Sequence, residues 1–349
     1  MTAEPLLDVR DLTVEYRVAR RGTLRAVHGV HLDVRAGETV GLVGESGSGK
    51  STIGRAVLGL TTPTAGSIRF DGREIAGLRG RRRARLARDL QVVFQDPLSS
   101  LNPSLTVGEL LQEPLRVVRR VSRSEAATAV GDLLERVSLP RDAAGRYPGA
   151  FSGGQRQRIA IARALSIDAR LIVCDESVSA LDVSTQASIL SLLRRLQHEL
   201  GVAYLFVSHD IAVVRNISQR IVVLYKGEVM ERGHTAEVVD RPCHPYTRTL
   251  LDAIPVPDPR GQRERRERRL AARDRTLGDP PPVADTGTGC VFAARCVEVH
   301  DVCRTHAPTP VPVGTRQVAC HIYDPASGHP RVGELTEGAA DGRLLPRGR

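Results

Sequence analysis

The sequence predicts an α/β fold built on a mainly parallel β-sheet, and three observations carry this prediction. Apolar strand patterns alternate with amphipathic helical patterns, the order typical of a parallel sheet covered by helices on both faces. A glycine-rich loop at residues 44–49 follows one short apolar run and precedes a helical pattern. Another apolar run, residues 171–174, ends in Asp175 and Glu176. The loop and the two acids are expected to form two parts of one site.

Hydrophobic periodicity predicts the individual elements along the chain. A capping signature, Ser122-x-x-Glu125, marks the start of one helix. Strands are predicted at residues 6–16, 30–34, 39–43, 169–174, 202–207 and 220–224. Helices are predicted at residues 51–60, 109–120, 124–137, 154–165 and 185–200.

Composition excludes several classes of protein. The chain has 349 residues, of which 41% are hydrophobic and only 3% aromatic, so aliphatic side chains must fill the core. No run of about 18 apolar residues exists, which argues against a membrane span, and the N-terminus lacks the pattern of a secretory signal. We therefore expect a cytoplasmic protein whose six cysteines stay reduced unless they bind metal.

The net charge of +10 is concentrated in two arginine runs, at residues 79–88 and 260–275. No aromatic residues interleave with either run, so a base-stacking surface, and with it a nucleic-acid partner, is not expected. We interpret both runs as solvated and partly disordered segments. Attraction to an anionic membrane surface is the alternative.

The glycine-rich loop predicts binding of a nucleoside triphosphate. Only two of the 50 basic residues are lysines, and one of them, Lys50, follows the glycines directly. A compact ammonium reaches between phosphate oxygens, while the amides at the start of the next helix face the same anion. The pattern G-x-x-x-x-G-K-[ST] comprises Gly44, Glu45, Ser46, Gly47, Ser48, Gly49, Lys50, Ser51 and Thr52.

Two further segments carry chemistry. A carboxylate at a strand end, such as Asp175, can hold Mg²⁺, and the following Glu176 can orient an attacking water. A second glycine pair follows Ser152 and opens a helix at Gly153 and Gly154, which again offers amides to an anion. One loop already cradles a nucleotide, so this second one needs another explanation.

At this point the chain resembles the ABC ATPase family, whose signature loop reads [LF]-S-G-G-Q. Residues 151–155 have this pattern, and further family elements follow in order at Gln95, at residues 179–182 and at residues 208–210. The resemblance spans residues 6–240. It implies the P-loop NTPase fold of that family, with a mainly parallel core sheet, an antiparallel β subdomain and a helical subdomain at about residues 97–166.

The resemblance also implies ATP and Mg²⁺ as cofactors and assigns roles by position. ATP would lie between the phosphate loop of one subunit and the signature loop of another, in a head-to-tail dimer. Lys50 and the amides of residues 47–52 would hold the phosphates, and Tyr16 would stack on adenine. The remaining roles are Mg²⁺ binding (Ser51, Gln95, Asp175), hydrolysis (Glu176, His209, with Gln95), closure on the γ-phosphate across the interface (Ser152, Gly153, Gly154) and relay between sites (Asp182).

Two positions depart from the family pattern. Phe151 replaces the usual leucine, which is a conservative change. Ser177 stands where the family has proline after the acids. The change removes a rigid turn but no reactive group, so we expect hydrolysis with altered placement of Glu176.

Finer features resemble one branch, the ATPase subunits of oligopeptide and dipeptide importers. Three segments are similar to segments of that branch: residues 94–103, 243–251 and 254–255. The sequences of residues 178–182 and 255–259 resemble its second ATPase subunit. The implied partners are a second homologous ATPase subunit, two membrane permease subunits and an extracytoplasmic solute-binding protein. The implied location is the cytoplasmic face of the cell membrane. A soluble ABC ATPase of DNA repair or translation is the alternative.

The C-terminal part divides by composition. We expect an ATPase domain at residues 1–254, a Pro- and Arg-rich linker at 255–289, a Cys-rich extension at 290–323 and a disordered tail at 324–349. Four thiols within the extension favour metal over disulfides, although their spacing lacks the C-x-x-C of common zinc sites. The resemblance implies a 4Fe–4S cluster; zinc and reduced structural thiols are the alternatives. These cysteines are Cys290, Cys296, Cys303 and Cys320.

Overall fold

The polypeptide forms two β-sheets with helices packed between and around them. The computed structural model describes residues 4–18, 22–96, 100–254 and 288–332. The strands are β1 (Leu7–Val18), β2 (Gly22–Val34), β3 (Thr39–Val43), β4 (Ala65–Phe70), β5 (Arg73–Glu74), β6 (Leu90–Val93), β7 (Leu171–Asp175), β8 (Ala203–Ser208), β9 (Arg220–Tyr225), β10 (Glu228–His234), β11 (Val311–Val313) and β12 (Arg316–Val318).

The helices of the described residues are mostly short, and three of them begin with a capping box. The side chains of Thr106, Ser122 and Ser152 accept from the third helical N–H, and the Glu or Gln at that position accepts in return. The α-helices are α1 (Lys50–Val57), α2 (Gly80–Leu86), α3 (Val107–Pro114), α4 (Arg123–Arg136), α5 (Gly153–Leu165), α6 (Val183–Leu200), α7 (Ile211–Ile217), α8 (Thr235–Asp240), α9 (Pro245–Asp252) and α10 (Asp301–Thr305).

The larger sheet confirms the predicted parallel core. Its order is β11-β12-β10-β9-β3-β8-β7-β6, and the five strands from β9 to β6 run parallel. The smaller sheet, of order β2-β1-β4-β5, is antiparallel. These two sheets and the group of helices α3 to α5 agree with the parallel core, the antiparallel β subdomain and the helical subdomain that the resemblance implies.

Two apolar cores cover the two faces of the larger sheet. One core lies between that sheet, α1 and the antiparallel sheet, and includes Leu42, Ile53 and Leu205. The other joins the opposite face to helices α3 to α9 and includes Val43, Ile159 and Phe206. Alternate residues of the same strand thus enter opposite cores, as expected for a strand that is buried on both faces.

The C-terminal extension is part of the larger sheet. Its hairpin, β11 and β12, pairs with β10 through Glu231↔Val318 and Arg232↔Gln317. Residues 324–332, which we expected to begin a disordered tail, pack against the extension, where His329 is buried. The Ser327 and His329 side chains bond to the backbone there and replace the contacts of regular structure. Residues 333–349 and most of the expected linker, 255–287, lie outside the described residues.

Two other expectations differ from the structure. The helix predicted at 109–120 ends as an α-helix at Pro114 and continues as a π-helical segment, Leu115–Arg119, because proline cannot donate an intrahelical hydrogen bond. The first arginine run is helix α2, which has no buried residue; its Arg83 donates to the Val57 carbonyl of α1. The second run, 260–275, lies outside the described residues.

Candidate functional site

The carboxyl ends of four parallel strands bring the predicted site residues to one edge of the larger sheet. Val43 at the end of β3 pairs with Ser208 of β8, and Asp175 at the end of β7 pairs with Val207. Val93 at the end of β6 pairs with Cys174. The residues that follow these strands are the phosphate loop, His209, Glu176 and Gln95. Loops at this edge of an α/β sheet are the usual location of a ligand site.

The phosphate loop is held by close backbone contacts that require glycine. Gly49 caps α1 with φ 99°, and a Cβ on it would lie 2.5 Å from the Ala26 carbonyl oxygen of β2. The Ser48 carbonyl accepts from the Gly227 N–H, at 2.9 Å, in the turn between β9 and β10. Helix α1 begins directly at Lys50, so its first N–H groups, which have no intrahelical acceptor, face the loop.

Lys50 is almost fully buried and is tied to the loop. Its Nζ donates to the carbonyl oxygens of Gly44 and Glu45, both at 2.8 Å, and lies 3.5 Å from Ser48 Oγ. Burial lowers the pKa of this ammonium, while Glu176, Asp175 and Glu45 oppose that shift. An ammonium that two loop carbonyls hold in place is well suited to bind phosphate oxygens.

Ser51 and Asp175 form the link between the loop and the acids. Ser51 Oγ donates to Asp175 Oδ1 at 2.7 Å. The pair joins the first turn of α1 to the end of β7, and Asp175 stays partly exposed. A hydroxyl beside a carboxylate is an oxygen donor set of the kind that Mg²⁺ prefers.

Glu176 lies next to His209. Glu176 Oε2 is 3.4 Å from His209 Nδ1, with 18% of the glutamate side chain exposed and 52% of the histidine side chain. The backbone of Glu176 has φ 48°, a left-handed conformation that costs free energy in a non-glycine residue and is typical of functional sites. The acid and the imidazole are therefore placed together at the sheet edge.

The turn after Glu176 is closed without proline. Ser179 donates to the Glu176 carbonyl from both its N–H, at 3.1 Å, and its Oγ, at 2.9 Å. Ser177 itself is buried, and its hydroxyl has no nitrogen or oxygen partner. It faces the thiol of Cys174, whose pKa burial raises to about 12 although the Ser177 hydroxyl opposes that shift. Two bonds from Ser179 thus replace the rigidity of the usual proline.

The second glycine segment packs against α6. Ser152 caps α5 and remains exposed. A Cβ on Gly154 would lie 2.4 Å from Thr185 Cγ2, so this glycine allows the starts of α5 and α6 to approach closely. Gly153 lies near Leu181, whose Cδ2 would be 3.6 Å from an added Cβ. The signature segment therefore lies on the surface, at the point where the starts of α5 and α6 meet.

Asp182 caps α6 next to that segment. Its Oδ1 accepts from the Thr185 N–H at 2.9 Å and from Ser184 Oγ at 2.6 Å. These hydrogen bonds, from Ser184 first, hold the pKa of Asp182 well below its ordinary value although the side chain is exposed. Asp182 is thus a fixed negative charge beside the signature segment.

Gln95 and Tyr16 lie on the borders of the site. Gln95 follows β6 and is exposed, at the same sheet edge as Asp175. Tyr16 lies on β1 opposite Leu24 of β2 and is half-buried against the core between the sheets. Two residues further along β2, the Ala26 carbonyl meets Gly49, so β2 connects the tyrosine to the phosphate loop.

The four cysteines of the extension line one small cavity, together with other buried side chains such as Phe292 and His321. Burial raises the pKa of Cys290 to about 11 and those of Cys296 and Cys320 to about 12, and neighbouring thiols add to each shift. Burial likewise raises the pKa of Cys303. Thiols in this setting stay protonated unless a cation stabilises the thiolate.

The cavity is not a preassembled site for a single metal ion. Within the described ranges, no three His, Cys, Asp or Glu side chains converge as such a site requires. Of the other two cysteines, Cys174 is buried in the core directly before Asp175. Cys243 is buried beside Cys320 and Tyr323.

Two residues were not assigned to the site from the sequence, although the structure places both against the phosphate loop. They are Arg295 of the extension, which pairs with the Glu45 carboxylate, and Tyr246, whose Oη accepts from the Glu45 N–H. Tyr246 lies within the family-like segment 243–251, which was one available signal. Arg295 directly precedes Cys296, but no local pattern shows that it reaches a loop 250 positions away.

None of the helices in the described parts of the chain has both the length and the apolar character that crossing a lipid bilayer requires.

Comparisons with known families match both parts of the chain. Residues 27–179 match the ABC transporter family, which covers the phosphate loop, the signature segment and the two acids. Residues 230–303 match the C-terminal region of oligopeptide/dipeptide transporters, which covers β10, Tyr246, Arg295 and three of the four cysteines of the extension.

Relatives match along nearly their whole length. A Brucella ovis protein named as a peptide import ATP-binding protein is 49% identical over 308 residues, which are 88% of this chain and 94% of the relative. A Brucella abortus protein of the same kind is 46% identical over 318 residues, covering 90% of this chain and 92% of its own length.

Solved structures match the ATPase part. One is an ATP-binding cassette captured as a dimer after hydrolysis with ADP and Pi bound; it is 32% identical, with a TM-score of 0.60, and covers 66% of this chain and 98% of its own. Another is CbiO1 from Clostridium perfringens, described as part of an ABC transporter complex; it is 27% identical, with a TM-score of 0.61, and covers 68% of this chain and 92% of its own.

Proposed function

Because the chain belongs to the ABC transporter family as an ATP-hydrolysing subunit, we propose that it energises a membrane importer for oligopeptides, dipeptides or a similar solute. The observation that carries this proposal is the joining of a phosphate-loop site to an oligopeptide/dipeptide transporter C-terminal region in one chain. A soluble ABC ATPase of DNA repair or translation, the alternative, would have no reason to carry that region.

The phosphate loop would bind the phosphates of ATP. Lys50 would exchange its bonds to the Gly44 and Glu45 carbonyls for bonds to phosphate oxygens, and the amides of residues 47–52 would donate to the same anion. Tyr16 would stack on the adenine. These roles come from the family pattern, and the closeness of β2 to the loop supports them.

The oxygen donors at the sheet edge fit Mg²⁺. Ser51 and Gln95 would bind the ion, and Asp175, which accepts from Ser51, would hold it through that hydroxyl or a water. Bound Mg²⁺ would neutralise charge on the transferred phosphate. The 2.7 Å bond between Ser51 and Asp175 supports this assignment, because it keeps the hydroxyl oriented toward the acid-bearing edge.

Glu176 would orient and polarise the attacking water, with His209 beside it to contact the γ-phosphate. A positioned carboxylate base typically contributes about 10²–10⁴-fold to the rate. The 3.4 Å separation between the two side chains supports their joint action. The strained backbone of Glu176, held by Ser179, would keep the carboxylate aimed in spite of the missing proline.

The other half of each ATP site would come from a second ATPase subunit. Ser152 and Gly153 are exposed at the start of α5, and Asp182 is fixed near them at the start of α6. A head-to-tail pair would bring these groups onto the γ-phosphate bound by the partner. Two permease subunits and an extracytoplasmic solute-binding protein would complete the importer, with this chain on the cytoplasmic face of the membrane.

We further propose that Cys290, Cys296, Cys303 and Cys320 hold a 4Fe–4S cluster, with zinc or reduced thiols as alternatives. The four residues line one cavity with few charges, and four thiolates are the ligand set of such a cluster. Each cysteine would hold one corner of such a cluster, whereas zinc would require the thiolates to converge on a single ion, which the described side chains do not do. Iron, acid-labile sulfide and zinc, measured after anaerobic purification, separate the three alternatives.

Transport itself tests the proposed function. The chain, reconstituted with its permease and ATPase partners in vesicles, should support ATP-dependent uptake of labelled di- and oligopeptides, and Glu176→Gln should abolish that uptake. ATP hydrolysis without solute uptake in the complete complex, for any peptide tested, would contradict the importer assignment.

A further inference from the structure

Glu45 of the phosphate loop is held by Arg295 of the C-terminal extension and by Tyr246 of α9. We propose that the extension positions the phosphate loop through Arg295, and that this contact sets the affinity of the loop for nucleotide. The inference rests on the nucleotide binding of the proposed function and adds a positioning residue to it. Arg295 and Glu45 are separated by 250 positions in sequence.

The contact between the two side chains is bidentate. Arg295 Nη1 donates to Glu45 Oε2 at 2.8 Å, and Nη2 donates to Oε1 at 2.9 Å. The same guanidinium lies 5.6 Å from the centre of the Tyr225 ring and 5.9 Å from that of Phe292. Two parallel hydrogen bonds and two aromatic neighbours leave the arginine few other orientations.

The backbone of Glu45 is held from the same side. Its N–H donates to Tyr246 Oη at 2.9 Å, and its carbonyl accepts from Lys50 Nζ at 2.8 Å. Tyr246 is fully buried and packs on Tyr225 and Phe292, with ring centres 4.6 Å and 5.3 Å away. Glu45 therefore lies directly between the extension and the lysine that would meet the phosphates.

The position of Arg295 depends in turn on the cysteine segment. It ends a short 3-10 helix, Ala293–Arg295, that lies between Cys290 and Cys296. The Cys290 N–H donates to the Cys303 carbonyl at 2.8 Å, and the Arg295 N–H donates to the carbonyl of the buried Phe292 at 2.9 Å. Any change that loosens the cysteines would therefore displace the guanidinium from Glu45.

The magnitude of the effect should be modest. Arg295 and Glu45 are 46% and 41% exposed, and half-exposed ion pairs contribute only about two- to fivefold to an equilibrium constant, with bidentate pairs toward the upper end. The effect should appear in the dissociation constant of the nucleotide.

A double-mutant cycle on nucleotide affinity tests the inference in the full-length chain. Arg295→Met should weaken binding of a fluorescent ATP analogue about two- to fivefold, and Arg295→Lys should restore part of it. Glu45→Gln should act similarly, and combining the two changes should add little. The matched control is Arg170→Met, which breaks a bidentate ion pair of similar exposure with Asp71, just before the start of β7.

Hydrogen exchange adds a readout that a loss of folding would not imitate. Because coupling is reciprocal, Mg-ATP should slow amide exchange across residues 290–303 in the wild-type chain and not in Arg295→Met. Unchanged affinity in Arg295→Met, full additivity with Glu45→Gln, or nucleotide-independent exchange in the wild type would overturn the inference. A wild-type chain that binds no ATP would overturn the proposed function and this inference with it.

Discussion

The Ser51 hydroxyl donates to the Asp175 carboxylate at 2.7 Å and joins the start of α1 to the end of β7 across 124 positions of sequence. This bond connects the strand that ends in Asp175 to the helix that begins at Lys50. The proposed phosphate binding by Lys50 and the proposed hydrolytic role of Glu176 therefore depend on the same pair of elements.

Lys50→Ala should abolish nucleotide binding. The substitution removes the only cation that the described residues place inside the loop and leaves the Gly44 and Glu45 carbonyls without their donor. We expect the dissociation constant of ATP, measured by equilibrium titration, to increase at least about 100-fold. Lys226→Ala, which changes the only other lysine and an exposed one, is the control and should bind normally. Comparable affinity in both variants would contradict the phosphate-loop assignment.

Gly154→Ala should destabilise the protein, because its methyl group would lie 2.4 Å from Thr185 Cγ2. Overpacking of this kind costs about 1–3 kcal/mol, which the better helix propensity of alanine offsets by up to about 1 kcal/mol. In a Thr185→Ser background the clash is absent, so the same change should be neutral or stabilising by urea unfolding. An equal loss in both backgrounds would show that the close approach of α5 and α6 is not the cause.

Ser177→Pro should stabilise the turn after Glu176. It removes a buried hydroxyl that lacks a nitrogen or oxygen partner and restricts the unfolded chain, which together should raise the free energy of unfolding by about 0.4–1 kcal/mol. Hydrolysis should persist, since Ser179 already closes the turn. A loss of stability would indicate that the Ser177 backbone cannot adopt the proline conformation.

Stability should fall in mild acid because of His244. Burial lowers its pKa to about 3, and its Nδ1 accepts from the Tyr246 N–H. The folded chain thus keeps this imidazole neutral, whereas the unfolded chain binds a proton below about pH 6.5. The contribution of the neutral imidazole to the free energy of unfolding is complete above pH 6.5 and is lost as the pH falls toward 3. At pH 5.5 the loss is about 1.4 kcal/mol.

Urea unfolding at pH 7.5 and 5.5 measures this loss. His244→Asn, which keeps an acceptor at the start of α9, should show a weaker pH dependence than wild type. His198→Asn, at an exposed position of α6, should not. An identical pH dependence in all three proteins would rule out His244 as the origin.

The sequence predicted the local parts of the site better than its long-range contacts. The phosphate loop and the strand that ends in Asp175 are continuous segments, so their residue types predict a chemical role without any long-range information. The structure places the two segments together. Predicted element ends differ by a few residues, as for α1, where a helix expected at 51–60 is observed at Lys50–Val57. The fold class followed from the same apolar runs.

The contacts of the extension could not be predicted in this way. Strands β11 and β12 have three residues each, too few for a periodic signal, and their pairing with β10 spans about 85 positions. Arg295 and Tyr246 reach Glu45 only because the chain returns to the sheet edge. Burial of His329 was missed because a Gly- and Pro-rich composition suggested disorder, while side-chain hydrogen bonds to the backbone hold that segment.

The most direct test of the account separates binding from hydrolysis at Glu176. Glu176→Gln should keep the dissociation constant of Mg-ATP within about threefold of wild type and reduce phosphate release by the assembled complex at least 100-fold. The control, Glu199→Gln, removes an exposed glutamate that pairs with Arg195 on α6 and should hydrolyse ATP normally. Wild-type turnover in Glu176→Gln would contradict the assignment of this residue and the mechanism built on it.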